Sequence, residues 1–175
     1  MRRLMLLRHG KSDWTKPGAH DADRTLAPRG RAAAPRIGAY MAHHGLRPDL
    51  VVCSTATRTR ETWNLVAAAF DDAPPVVYED RIYESSTDAL LTVIRETKGA
   101  THALMLVGHN PGLHDLAQRL IAAGDIDARQ RLLEKFPTAG LAVIDFTIDD
   151  WRRLHLRSGR LDRFVAPRML ETATD

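Results

Sequence analysis

The 175-residue chain has one cysteine, Cys53, which excludes an internal disulfide and leads us to expect a reducing, cytoplasmic setting. It also lacks a long apolar run. Nothing approaches the roughly 20 residues of a membrane span, and the apolar stretch after Arg2 and Arg3 is too short for a secretory signal. No membrane contact is expected. Aromatic residues make up 6% of the chain, and its 25 basic residues are interleaved with 22 acidic ones. That pattern lacks the clustered basic and aromatic surface of nucleic-acid binders, so nucleic acid is not an expected partner. The 8 histidines show no Cys/His ligand spacing, so neither a metal nor another cofactor is expected. Repeats and low-complexity linkers are missing too, and the length suits one domain over 1–175, with the tail from about 159 loosely packed. The sequence assigns no oligomeric state.

What is present alternates between short apolar runs and amphipathic stretches. Leu4-Met5-Leu6-Leu7, Leu50-Val51-Val52-Cys53 and Ala103 to Val107 read as strands buried on both faces, and Val76-Val77-Tyr78 as a further short one. Between them, Pro28 opens a helix that reaches Gly45, bent or delayed by Pro35. Trp63, Val66, Ala67 and Phe70 mark a second helix. Leu90, Val93, Ile94 and Thr97 mark a third, started near Ser86 and stopped by Gly99. Asn110 as N-cap and Pro111 as first residue start a fourth, with Leu113, Leu116, Ala117, Leu120 and Ile121 as its stripe. A short helix is expected around Arg129 to Lys135. Leu141 to Thr147 and Arg153 to Arg157 are expected to form a late antiparallel hairpin. The predicted class is α/β, a three-layer sandwich whose mostly parallel sheet has helices on both faces and a late antiparallel strand or hairpin.

Three polar motifs fall at the carboxyl ends of predicted strands: Arg8-His9-Gly10, the turn from Ser54 to Arg60, and Gly108-His109. If those strands are neighbours, the motifs converge on one crevice. Two imidazoles and at least two guanidiniums around one point are unfavourable unless an anion sits among them, and a phosphoryl group meets that need. Nearby cations hold a histidine neutral, as a nucleophile on phosphorus must be. His9 would then carry the phosphoryl group, dividing a hydrolysis into two displacements. His109, if protonated, would bind the transferring oxygens. A proton donor for the leaving group is still wanted, such as a carboxyl raised by burial. Spacing leaves Arg58 and Arg60 both open as the second clamp.

Leu7-Arg8-His9-Gly10-Lys11-Ser12, Ser54 through Arg58 with Arg60-Glu61-Thr62, and Gly108-His109-Asn110-Pro111-Gly112-Leu113 stand in an order that resembles the histidine phosphatase superfamily. Within its phosphoglycerate-mutase-like group, the likeness is to the short SixA-type phosphohistidine phosphatases. Asp23 to Arg31 and Phe136-Pro137-Thr138-Ala139-Gly140 add to it. The resemblance implies a metal-independent phosphatase with His9 as phosphorylated nucleophile and Arg8, Arg58, His109, Gly10 and Thr15 around the phosphate. It also selects Arg58 over Arg60. Glu84 aligns with the acid of the mutase-like branch, with Asp13 and Asp21 as lesser candidates. Two departures matter: Thr15 stands where the mutases place an asparagine, and only one helix and one strand separate Glu84 from Gly108, where the mutases carry a long lid. An open pocket follows, suited to hydrolysis or a large substrate. Expected partners are a phosphorylated protein or a small phosphomonoester, with neither nucleic acid nor membrane. A non-catalytic phosphate-binding signalling module is the reading from another class. A cysteine-dependent phosphatase is excluded by register, because Thr59, not an arginine, stands where such a loop needs one after Cys53.

Overall fold

The computed structural model describes residues 1–171. Seven strands form one sheet: β1 (Arg2–Arg8), β2 (Leu50–Cys53), β3 (Val76–Tyr78), β4 (Ala103–Gly108), β5 (Ile121–Gly124), β6 (Leu141–Phe146) and β7 (Gly159–Val165). Their spatial order is β3-β2-β4-β1-β6-β7-β5. β1 pairs in parallel with β4, as does β2, while β6 runs antiparallel to both β1 and β7. β5 is parallel to β7, so β6 alone opposes the other strands.

Alternation along β1 explains why its apolar run is unbroken. Leu4 and Leu6 enter one core, Met5 and Leu7 the other, and all four are fully buried. One core is closed by α3 (Thr87–Arg95), α4 (Gly112–Leu120) and α5 (Ile126–Glu134). The other is closed by α1 (Pro28–His43) and α2 (Thr57–Ala67), through Ile37, Met41, Trp63 and Val66. A last helix, α6 (Pro167–Glu171), lays Leu170 against this second core. The sandwich predicted from the alternation is the one observed. Among the described residues, no helix is long and apolar enough to cross a membrane.

The differences lie mostly in the second half of the chain. Arg153 to Arg157 is not a strand. Trp151 is buried in a helical turn over Trp151–Arg153, with its indole N–H given to the Thr101 carbonyl at 2.7 Å, and buried Leu154 holds the chain in a loop. The strand comes later, as β7, so residues 159–165 of the tail expected to pack loosely are instead inserted between β6 and β5, while 172–175 of that tail lie outside the described residues. Ile121 ends the α4 stripe by opening β5 rather than extending the helix. Asn110 does not cap α4, because its side-chain amide is given to the Phe136 carbonyl at 2.9 Å and the helix starts after Pro111. Pro35 is tolerated inside α1, on its exposed side. The third helix stops at Arg95, before Gly99.

Candidate active site

The three motifs meet because β1, β4 and β2 are neighbours. Arg8 stands opposite Gly108 in the ladder and Cys53 opposite Val107. Beyond the last rungs the backbones stay tied, His9 N–H to the Gly108 carbonyl at 3.1 Å and Ser54 N–H to the Val107 carbonyl at 3.0 Å. Arg58 follows as the second residue of α2. Arg8, His9, Arg58 and His109 thereby face one point at the carboxyl ends of the parallel strands, the crevice where ligands of such sheets bind.

His9 is buried, with its Nδ1 2.7 Å from the Gly10 carbonyl oxygen. A carbonyl only accepts, so Nδ1 carries the proton and Nε2 the lone pair. Burial, together with Arg58 and Arg8, lowers its pKa to about 4 despite that hydrogen bond. The imidazole is neutral at pH 7, with a free nitrogen: the state a nucleophile needs.

The His109 ring lies 5.3 Å from that of His9, centroid to centroid. Arg58 Nη2 is 3.3 Å from His109 Nδ1, and a guanidinium can only donate. The proton of His109 therefore sits on Nε2 and is given to Ser54 Oγ at 2.7 Å. Burial, followed by His9 and Arg58, pushes the pKa of His109 down to about 3. Arg8 donates from Nη1 to the Phe136 carbonyl at 3.0 Å, while its buried Nε has no partner among the described residues. Burial and Arg58 also lower the Arg8 pKa, as expected of cations gathered before their anion arrives.

The loop between β1 and α1 supplies a carboxylate to this cluster. Asp21 Oδ2 is 3.0 Å from Arg58 Nη2, and Arg58 Nη1 donates to the Asp21 carbonyl at 2.7 Å. Tyr83 donates its hydroxyl to the same Asp21 oxygen and sets its ring edge-on to His109 at 5.3 Å. The Tyr83 hydrogen bond and then Arg58 hold the Asp21 carboxyl below the usual range, so it stays ionised. Burial and the Asp21 bond push the Tyr83 phenol up to about 12.

Gly10 lies beneath His9 and is locked from two sides. Its N–H is given to Thr62 Oγ1 at 3.0 Å, and its backbone crosses Gly30 so closely that a Cβ on Gly30 would stand 2.4 Å from the Lys11 carbonyl oxygen. The other two expected residues stand apart from the cluster. Thr15 is exposed and gives its hydroxyl to Asp13 at 2.6 Å. Glu84 follows Tyr83 at φ 48, exposed and with no hydrogen bond or ion pair among the described residues. Sequence reasoning missed Ser54 as the partner of His109, Tyr83 as the partner of Asp21, and Thr62 beneath Gly10. A hydroxyl at the end of β2 was the available signal for Ser54. Asp21, a lesser candidate for the acid in the sequence, is placed as an acceptor from Arg58 and Tyr83.

Comparison with known proteins agrees with this geometry. A family profile described as "Histidine phosphatase superfamily (branch 1)" matches residues 4–92. An uncharacterized protein of Mycobacterium leprae is 34% identical over 93% of this chain and 100% of its own length. The crystal structure of a SixA protein from Agrobacterium tumefaciens, provisionally named a phosphohistidine phosphatase, is 35% identical with a TM-score of 0.80, covering 95% of this chain and 98% of that one. A SixA protein of the same provisional name from Nakamurella is 27% identical with a TM-score of 0.82, covering 95% and 96%. The chain belongs to the histidine phosphatase superfamily, branch 1. Within that superfamily it is of the SixA type, and it is a phosphatase.

Proposed function

We propose that this phosphatase removes the phosphoryl group from phosphohistidine on proteins, through a covalent phosphohistidine on His9. The observation that carries the reading is the state of His9: buried, neutral, proton on Nδ1 and lone pair on Nε2, beside two guanidiniums. In the first step Nε2 attacks phosphorus and the P–N bond of the substrate breaks, the bond pair returning to the substrate's ring, which leaves as neutral imidazole because its other nitrogen already carries a proton. In the second, water attacks the phosphorus on His9 and inorganic phosphate departs. Arg8, Arg58 and His109 hold the equatorial oxygens, and the carbonyl of Gly10 keeps the His9 tautomer.

The leaving group is inferred from the carboxylates. Asp21 is held ionised and Glu84 lies outside the hydrogen-bonded cluster, so the pocket favours a leaving imidazole, which needs no strong acid, over an alkoxide. The provisional name of the Agrobacterium relative points the same way. The proposed setting is the cytoplasm, where the buried, free Cys53 stays reduced.

The test is a panel of phosphohistidine proteins, sugar phosphates and an aryl phosphate, ranked by kcat/KM in excess chelator, with His9→Ala as blank. Phosphohistidine proteins should lead, His9→Ala should lose at least about a thousandfold in rate, and rapid acid-free quench should trap label on His9. A small ester at the head of the ranking would sink the substrate, and an unlabelled His9 during turnover would sink the covalent route.

A further inference from the structure

Away from the histidines, α5 turns an unusual stripe to solvent. Ile126, Arg129, Gln130 and Leu133 occupy the i, i+3, i+4 and i+7 positions of one face, while Ala128 and Leu132 pack inward. Ile126 is 77% and Leu133 66% exposed, far above what aliphatic side chains on an isolated helix face require. With Gln118 and Ile121 they border a hollow of about 410 Å³, which adjoins a second of about 680 Å³ reaching Leu156. Together these form an apolar groove.

Its rim is basic. Arg119, Arg129 and Arg157 line it, and none forms an ion pair or side-chain hydrogen bond with the described residues. Arg157 sits there at φ 55, a backbone conformation that non-glycine residues seldom adopt. A second copy of this chain is a poor occupant, since a two-fold contact would set each unpaired guanidinium against its own kind. The chemistry fits a helix with aliphatic residues on one face and carboxylates flanking them.

We propose that this groove docks an acidic amphipathic helix of the phosphorylated protein substrate. The inference rests on the reading of a protein-borne phosphoryl group. The groove and the pocket share two elements: α4 begins three residues after His109 and its nine residues span about 13 Å to Ile121, while α5 leads into Phe136, whose carbonyl accepts from Arg8. A helix seated in the groove therefore lies within one helix length of His9. Binding energy gained there belongs to a protein substrate and is lost to a small one.

The test uses the full chain and a labelled 18-residue helical peptide with leucines at i, i+3, i+4 and i+7 flanked by glutamates, beside a twin with lysines for glutamates. The acidic peptide should bind, more weakly as salt rises, and the twin should not. Ile126→Ser with Leu133→Ser, and separately Arg129→Glu, should each weaken binding about tenfold while aryl phosphate hydrolysis stays at the parent rate. The same variants should lose about tenfold in kcat/KM on phosphohistidine proteins, and nothing on free phosphohistidine. Equal binding of both peptides, unchanged binding in the variants, or capture only by phosphatidylglycerol vesicles would overturn the docking site. Docking of the acidic peptide without hydrolysis of any phosphohistidine protein would instead sink the substrate reading and leave the groove standing.

Discussion

Binding of a tetrahedral dianion should draw one proton onto His109. In the free pocket both imidazoles are neutral at pH 7, His109 with a pKa of about 3 set by burial and by its neighbours His9 and Arg58. Arg58 Nη2 now divides its two hydrogens between Asp21 Oδ2 and His109 Nδ1. An anion that takes a hydrogen from Nη2 leaves the Nδ1 lone pair facing negative charge. Raising the His109 pKa from about 3 to above 7 requires roughly 5.5 kcal/mol, at 1.36 kcal/mol per unit. A dianion about 4 Å away supplies roughly 8 kcal/mol at an effective dielectric near 20, so the shift is within reach. Because the bound state holds the extra proton, affinity rises as pH falls, by about tenfold per unit while pH lies between the free and bound pKa values. The assay is calorimetry of tungstate binding at pH 7 in buffers of different ionisation enthalpy, with the slope giving protons taken up. The expected value is close to one in the parent and in His9→Ala, and close to zero in His109→Gln. A slope of zero in the parent, or uptake that survives His109→Gln and vanishes in His9→Ala, would refute the assignment.

Gly30→Ala should cut kcat at least about tenfold with a smaller loss of stability, measured by turnover and thermal unfolding. Its Cβ must displace the Lys11 backbone from 2.4 Å, which drags the adjoining Gly10 carbonyl away from His9 Nδ1. Ser54→Ala strands the buried His109 Nε2 proton, a defect of about 1–3 kcal/mol; denaturant titration should show it, together with loss of tungstate affinity. Glu84→Gln should leave phosphohistidine hydrolysis near the parent rate, since the exposed carboxylate touches nothing in the cluster. A fall as large on phosphohistidine as on an alkyl phosphate would restore Glu84 as the proton donor.

The parallel half of the sheet was legible because its strands are buried on both faces, so Leu4 to Leu7 and Ala103 to Val107 stand out as unbroken apolar runs. The other half was not. β5 has two exposed alanines and lies at the sheet edge, and β7 alternates apolar with charged residues. Neither pattern outweighs its surroundings in sequence. Arg153 to Arg157 is no strand because the chain before it is tied down by a helical turn at Trp151, whose indole is bonded to Thr101, and not by strand pairing.

The site divides along a similar line, between residues that strand ends deliver and residues that loops deliver. Arg8, His9 and His109 stand at strand ends whose ladder fixes them within a rung of one another, and Arg58 comes in the first turn of the next helix. Asp21 reaches the pocket only because the loop after β1 folds back across Arg58, and Tyr83 only because the turn after β3 passes His109. Spacing in sequence carries no trace of either. Yet these two decide how the cations are held before substrate arrives. With Asp21 ionised on Arg58 and Tyr83 bound to the same oxygen, the free pocket carries an internal anion, and a phosphoryl group enters by competing for hydrogens that Arg58 already spends. Asp21→Asn weakens that competitor while keeping its shape. It should therefore tighten tungstate binding, and an unchanged or weaker affinity would mean that Asp21 only positions Arg58.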